Sequence, residues 1–298
     1  MAALDDALVW LNSEPLTAEG LRGRVVLVDI WTYSCVNWLR TLPYVKAWDE
    51  RYRDRGLVVV GVHAPEFGFE HDLENVRSAA SELGVGYPIV IDNDFAIWRS
   101  LDNHYWPALY LVDRDGQVRF QHFGEDAYEE IERAIQELLG VDQEAVRVDA
   151  GGLAEAADWD TLKSPETYLG YARGEGRRDG RADGLALNQW GLGGNWSVGE
   201  EAAVLEAGGG SISYRFQARD LNLVLAPPAS GAPVRIAVTL DGQPPGDAHG
   251  LDVDQSGEGA IAEPRMYQLV RQRGAVAERT FEIRFLDPGV RAYVFTFG

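Results

Sequence analysis

Val25-Val26-Leu27-Val28-Asp29-Ile30-Trp31-Thr32-Tyr33-Ser34-Cys35-Val36-Asn37-Trp38 is the stretch on which the fold turns. Its first six residues are apolar except for Asp29, a run of the kind that forms a strand buried on both faces. Leu39 to Arg53 then has helical periodicity, which places Cys35 at a strand-to-helix turn. There the unpaired N–H groups and the positive dipole end of the helix favour a thiolate. Cys35 is the only cysteine in the chain, and Trp38 stands three residues after it. No disulfide can close within the chain.

Outward from this turn, strand and helix signals alternate. Leu57 to His63 is a continuous apolar run, and Leu73 to Leu83 is an amphipathic helix stopped at Gly84. Tyr87 to Asp92 is a short strand, Phe95 to Leu101 a short helix, and Ala108 to Val112 a strand. Asp115-Gly116 turns that strand back into Gln117 to Phe123 as a hairpin, and Tyr128 to Leu139 is a last helix ending at Gly140. After Gly140 helical periodicity disappears. Ser211 to Phe216, Leu221 to Ala226, Val234 to Leu240, Met266 to Arg271, Thr280 to Phe285 and Ala292 to Phe297 are strand-like runs separated by Gly, Pro and Asp. That spacing predicts an all-β, jelly-roll-like sandwich. The expected domains are 1–140, a connector over 141–160, and a β-sandwich over 161–298.

At 298 residues two domains are the natural expectation, and 46% hydrophobic residues suit a packed globular protein. The formal net charge of -20 repels phosphates and anionic lipid heads, so neither nucleic acid nor a membrane is an expected partner. No basic, apolar leader opens the chain, and a single cysteine suits a reducing compartment. A cytoplasmic location is expected, or an exported one if a signal has been removed.

Leu21 to Cys35 resembles the thioredoxin-like redoxin domains of the TlpA type, and most nearly those of the DipZ type linked to cytochrome c biogenesis. There Trp-Thr-Tyr-Ser-Cys is followed by a second cysteine. Gly61-Val62-His63-Ala64-Pro65-Glu66-Phe67, Tyr105-Trp106-Pro107-Ala108 and Pro165-Glu166-Thr167-Tyr168-Leu169-Gly170-Tyr171-Ala172 carry the likeness into both halves. The resemblance implies an α/β thioredoxin fold followed by a sandwich like a carbohydrate-binding module. It also implies a cis-proline at Pro107 facing Cys35 and a buried carboxylate near the thiol, for which Glu66 is the candidate. This chain departs from the pattern at Trp38, where the resolving cysteine stands.

Two functions fit these residues. In the first, Cys35 is the nucleophile of a monothiol oxidoreductase or thiol peroxidase of antioxidant type: it attacks a disulfide or peroxide, and an external thiol reductant restores it. Thr32 matches the threonine that peroxiredoxins place three residues before their cysteine, although Val28 stands where they have proline. In the second, the scaffold is redox-inactive and binds a peptide or, through the C-terminal sandwich, a glycan. Groove candidates are Trp31, Asn37, Trp38, His63, Tyr105 and Trp106, with packing as the alternative: Trp31 beneath the turn, His63 as a core histidine, and Trp38, Tyr105 and Trp106 in the core or on the surface, while Asn37 caps or hydrogen-bonds locally. Tyr168, Tyr171, Trp190, Trp196 and Tyr214 are candidate sugar platforms or core residues.

Asp252, Asp254, Ser256 and Glu263 have the spacing of a calcium loop, but Pro244-Pro245 precedes them and a strand follows, so no helix pair brackets the loop. The five histidines and one cysteine form no close ligand pair, and no glycine-rich phosphate loop follows a strand. No cofactor is expected.

Overall fold

The computed structural model describes Leu4, residues 9–179 and residues 184–298. The chain divides into two units, residues 1–155 and 156–298.

The first unit opens with β1 (Trp10–Leu11) and β2 (Val25–Trp31), the latter buried at every position as its apolar run requires. α1 (Val36–Tyr52) follows, then β3 (Leu57–His63), α2 (Leu73–Glu82), β4 (Ile89–Ile91), α3 (Ala96–Ser100), β5 (Ala108–Val112), β6 (Val118–Phe123) and α4 (Tyr128–Leu139). The sheet order is β1-β4-β3-β2-β5-β6. β2 runs parallel to β3 and antiparallel to β5, so the two central strands end at the same edge of the sheet. Gly61 lies where a β-carbon would meet the Trp31 indole nitrogen at 2.9 Å and the Tyr87 ring at 3.0 Å. Only glycine leaves room there for the tryptophan on the neighbouring strand.

Residues 141–155, expected within a connector, belong to this first unit. The buried Glu132 carboxylate on α4 accepts from the Tyr52 hydroxyl (2.5 Å) and from the Val146 N–H (2.9 and 3.1 Å). Gln136 likewise exchanges hydrogen bonds with the Gln143 backbone. A buried carboxylate needs such donors, and the stretch after α4 supplies them.

The second unit is built of β-strands: β7 (Thr167–Tyr168), β8 (Arg177–Asp179), β9 (Trp190–Gly193), β10 (Trp196–Val198), β11 (Ala203–Leu205) and β12 (Ser211–Phe216). β13 (Asp220–Ala226), β14 (Val234–Leu240), β15 (Glu258–Ile261), β16 (Arg265–Arg271), β17 (Arg279–Phe285) and β18 (Arg291–Phe297) complete it. One sheet has the order β10-β11-β18-β13-β16 with β7 also on β18, and the other β15-β14-β17-β12-β9-β8. Their inner faces meet in a core where Tyr214 lies 5.0 Å from Phe295 and Phe281 lies 5.9 Å from Phe295, ring centre to ring centre. Strict alternation in β14 puts Val234, Ile236, Val238 and Leu240 into that core, which is why the strands were legible from their period.

The residues with calcium-loop spacing, a weak candidate from the sequence, make hydrogen bonds within the chain. Asp252 accepts from the Arg265 guanidinium and the Gln268 N–H, both at 2.7 Å. Asp254 accepts from the Ser256 N–H (2.9 Å), the Ser256 hydroxyl (2.6 Å) and the Glu258 N–H (2.9 Å), so it closes the turn into β15. Glu263 is exposed, and its carbonyl accepts from the Tyr267 hydroxyl. Turn hydrogen bonds organise Asp254, and an ion pair with Arg265 organises Asp252. Among the described residues no group of three or more His, Cys, Asp or Glu is placed to hold a metal ion.

Of the five aromatic residues considered as sugar platforms, Trp190 and Tyr214 are core. Trp196 and Tyr168 are half-buried, the latter under the Arg173 guanidinium at 3.5 Å, while Tyr171 is 68% exposed.

Candidate active site

β2 ends at Trp31, and the chain turns through Thr32, Tyr33 and Ser34 into α1. Cys35 is the N-cap residue of that helix, half-buried, with its own N–H on the Thr32 carbonyl (3.3 Å) and its carbonyl receiving the Leu39 N–H (3.0 Å). The first turn of α1 contains no acidic residue, so nothing on it opposes a negative sulfur at the positive end of the helix. Trp106–Pro107 is a cis peptide bond. Ala108 pairs with Ile30, which sets Pro107 beside Trp31 at the sheet edge from which the Cys35 turn departs.

Trp38 is fully buried. Its ring stacks on Trp31 at 4.2 Å, and its indole N–H donates to Asp29 Oδ2 at 3.1 Å. The Tyr87 hydroxyl donates to the same oxygen at 3.0 Å. Burial pushes the Asp29 carboxyl up to about 6, against these two hydrogen bonds, which pull it down. The position three after Cys35 thus presents no group to a substrate and caps a buried carboxylate from above.

A second buried carboxylate lies behind the turn, and it is Glu70 rather than the expected Glu66. Ser34 Oγ donates to Glu70 Oε1 at 2.5 Å, while the N–H groups of Glu66 and Phe67 donate to Oε2 at 2.6 and 3.0 Å. Glu66 is itself half-buried. Burial pushes Glu70 up to about 7; the Ser34 and Thr32 hydroxyls pull in the other direction. Thr32 is fully buried, its hydroxyl 3.5 Å from His63 Nε2, so it supports the turn from behind and does not face a substrate. His63 is also fully buried between Trp31 (5.0 Å) and Tyr33 (5.9 Å), and burial lowers its pKa to about 3.

The groove candidates therefore separate. Trp31, Trp38 and His63 are core beneath the turn, a correction that follows from their position on or under strands buried on both faces. Asn37 is half-buried and gives its carbonyl to the Thr41 hydroxyl at 2.9 Å. Trp106 is half-buried with its indole N–H on the Ala64 carbonyl (2.9 Å), fastening the Pro107 loop to the end of β3. Tyr105 is 56% exposed and packs against Phe123, itself 39% exposed, at 5.2 Å. These two rings form an accessible aromatic wall on the Pro107 side. Asp29 and Glu70 are site residues outside the sequence candidates, although each carries a signal: a charge inside an apolar strand, and a carboxylate beside Phe67 and Phe69 just after a buried strand.

A family model described as Redoxin matches residues 3–138, and one described as Thioredoxin like C-terminal domain matches residues 164–298. The thiol-disulfide oxidoreductase YkuV of Bacillus subtilis (strain 168) is 31% identical over 140 residues, 47% of this chain and 93% of that protein. The chain belongs to the thioredoxin-like redoxin family. Protein DipZ of Mycobacterium tuberculosis (strain CDC 1551 / Oshkosh) is 33% identical over 305 residues, which is 97% of this chain and 41% of DipZ. This redoxin thus spans about two fifths of the length of that relative. A solution structure of a thioredoxin-like protein in the oxidised form aligns with a TM-score of 0.41 at 31% identity, over 45% of this redoxin and 90% of that chain. The kinship is with thiol-disulfide oxidoreductases. Within it, this redoxin keeps one thiol and carries Trp38 where the resemblance expects the other.

Proposed function

We propose that this redoxin is a monothiol oxidoreductase in which Cys35 exchanges with disulfides and an external thiol completes each cycle. The observation that carries this reading is the pairing of a half-buried Cys35 at the N-cap of α1 with a Trp38 sealed in the core on Asp29. Cys35 thiolate attacks one sulfur of a substrate disulfide; a new S–S bond forms, the substrate S–S bond breaks, and the departing thiolate takes a proton from solvent. One external thiolate then attacks the Cys35 sulfur of the mixed disulfide and expels the substrate's second thiolate, and a second external thiolate attacks the external–Cys35 disulfide, freeing Cys35 and leaving the external disulfide. The net reaction reduces one disulfide to two thiols and oxidises two external thiols to one disulfide. Pro107 borders the groove, and the Tyr105–Phe123 wall favours an apolar peptide segment beside the reacting sulfur. A cytoplasmic setting with abundant low-molecular-weight thiol suits such a cycle.

Mass spectrometry of the wild type and Cys35→Ser after mixing with glutathione disulfide tests the reading. Wild type is expected to gain one glutathionyl group, removable by excess glutathione, and the variant none. A wild type that stays unmodified at Cys35 would leave the scaffold as a binding module. Rapid Cys35 sulfenic-acid formation from hydrogen peroxide without disulfide exchange would instead make it a peroxidase.

Glu70 supplies a further expected result. Its carboxyl titrates at about 7 and is tied to Ser34, the residue before the nucleophile. The pH profile of Cys35 alkylation by iodoacetamide is expected to carry an inflection near pH 7 that disappears in Glu70→Gln. Above that pH the variant should react a few-fold faster, because an ionised carboxylate close by disfavours a thiolate. A profile identical in the two proteins would remove Glu70 from the site.

A further inference from the structure

A buried ion pair ties the Cys35 helix to the segment after β6, which in turn holds the Pro107 loop. Arg40, on the second turn of α1, reaches Glu125 with Nη1 to Oε1 at 2.8 Å, and the two side chains are 3% and 7% exposed. Glu125 is the second residue after β6. Its neighbour Gly124 donates its N–H to the Pro107 carbonyl at 2.8 Å, and the residue before that, Phe123, pairs with Ala108. His122 Nε2 lies 3.2 Å from the Glu125 carbonyl. A chain of direct contacts therefore runs from the helix capped by Cys35, through Arg40 and Glu125, to the backbone of Pro107 and to the Phe123 ring of the aromatic wall.

A buried ion pair is a poor way to gain stability, since removing both charges from water costs about as much as their attraction returns. Burial raises the Glu125 carboxyl even with the Arg40 guanidinium beside it. What such a pair does supply is geometry: a planar guanidinium and a carboxylate hold two elements at one separation, which apolar contacts do not specify as tightly. The Pro107 loop is held to the segment after β6 through the Gly124 N–H, and the Arg40–Glu125 pair carries that link on to α1.

We infer that Arg40 and Glu125 are positioning residues that set the width of the groove between Cys35 and Pro107. The inference rests on the reading of Cys35 as the exchanging thiol, and it concerns substrates large enough to touch both sides. A disulfide-bonded peptide must place its sulfur at Cys35 while its backbone lies along Pro107, whereas iodoacetamide needs the thiol alone. Misplacement of one wall by a fraction of an ångström therefore penalises the peptide and spares the small reagent.

The test compares wild type with Arg40→Met/Glu125→Leu, which removes both charges together and is expected to melt no lower than wild type. Alkylation of Cys35 by iodoacetamide should keep its rate and its pH profile within about twofold, while mixed-disulfide formation with a disulfide-bonded apolar peptide should slow by about tenfold. Arg40→Lys, which retains the charge without the planar fork, should fall between the two and keeps the test decisive if the double variant does not fold. A peptide rate unchanged in both variants, or one that falls only in step with alkylation, would overturn the positioning role. A wild type that reacts with iodoacetamide but with no disulfide would refute the exchange reading itself and this inference with it, and that failure is visible before any variant is made.

Discussion

Trp38→Cys is expected to give this single-cysteine redoxin a working dithiol. The new thiol would sit three residues into α1 from Cys35, within reach along one helix face, and both would lie at the positive end of the helix. The Asp29 carboxylate would lose the indole donor while keeping that of Tyr87, and would take the proton of the introduced thiol as it resolves the mixed disulfide. Reduction of insulin disulfides by dithiothreitol should rise from background to an easily measured, protein-dependent rate. Mass spectrometry of the oxidised variant should show the loss of two hydrogens with no added adduct. The change has a structural cost, because a fully buried indole stacked on Trp31 is replaced by a small side chain. Aromatic truncations of this kind cost about 3–5 kcal/mol, roughly 10 °C in melting temperature for a unit of this size. An oxidised variant that carries only external adducts would show that the turn itself, and not the lost cysteine, prevents resolution.

The second large effect is the dependence of stability on pH. His63 is fully buried and its pKa falls from 6.5 to about 3 on folding. A depressed folded value means that its contribution is complete above pH 6.5 and is lost as pH falls through about 3, by up to ~5 kcal/mol. Glu70 and Asp29 act in the opposite sense. Their folded values are raised, from 4.5 to about 7 and from 3.8 to about 6, so their contributions are complete below pH 4.5 and 3.8 and are lost as pH rises through about 7 and 6. Each spans about 3 kcal/mol. Urea melts at pH 7.5 and pH 4 for wild type and His63→Gln separate these contributions. The stability of the wild type relative to the variant should drop by about 3 kcal/mol between the two pH values. A constant difference would mean that His63 is not held neutral in the folded chain.

The α/β half was legible because its strands are continuous apolar runs and its helices are bounded by recognisable stops such as Gly84 and Gly140. The β half was legible from alternation, as in Val234 to Leu240. Cys35 at a helix start and Pro107 at the head of β5 were likewise readable from the order of elements. The exposure of individual side chains was not. In sequence Trp31, Trp38, His63 and Tyr105 are each open to a groove or a packing role; in the fold the first three pack as core and Tyr105 stays open. Glu66 and Glu70 are four residues apart in one loop, and only the path of that loop decides which carboxylate meets Ser34.

The amino-acid sequence alone determined that one thiol stands at a strand-to-helix turn with no second cysteine to close a disulfide. Those are facts of composition and local periodicity, which act over a few residues. The tertiary structure decided which distant side chains meet: Asp29 with Trp38, Glu70 with Ser34, and Arg40 with Glu125. Each of these pairs brings together side chains 9 to 85 positions apart. Partners like these are chosen when a buried polar group must find a donor or acceptor in the assembled core, a requirement that no local pattern records.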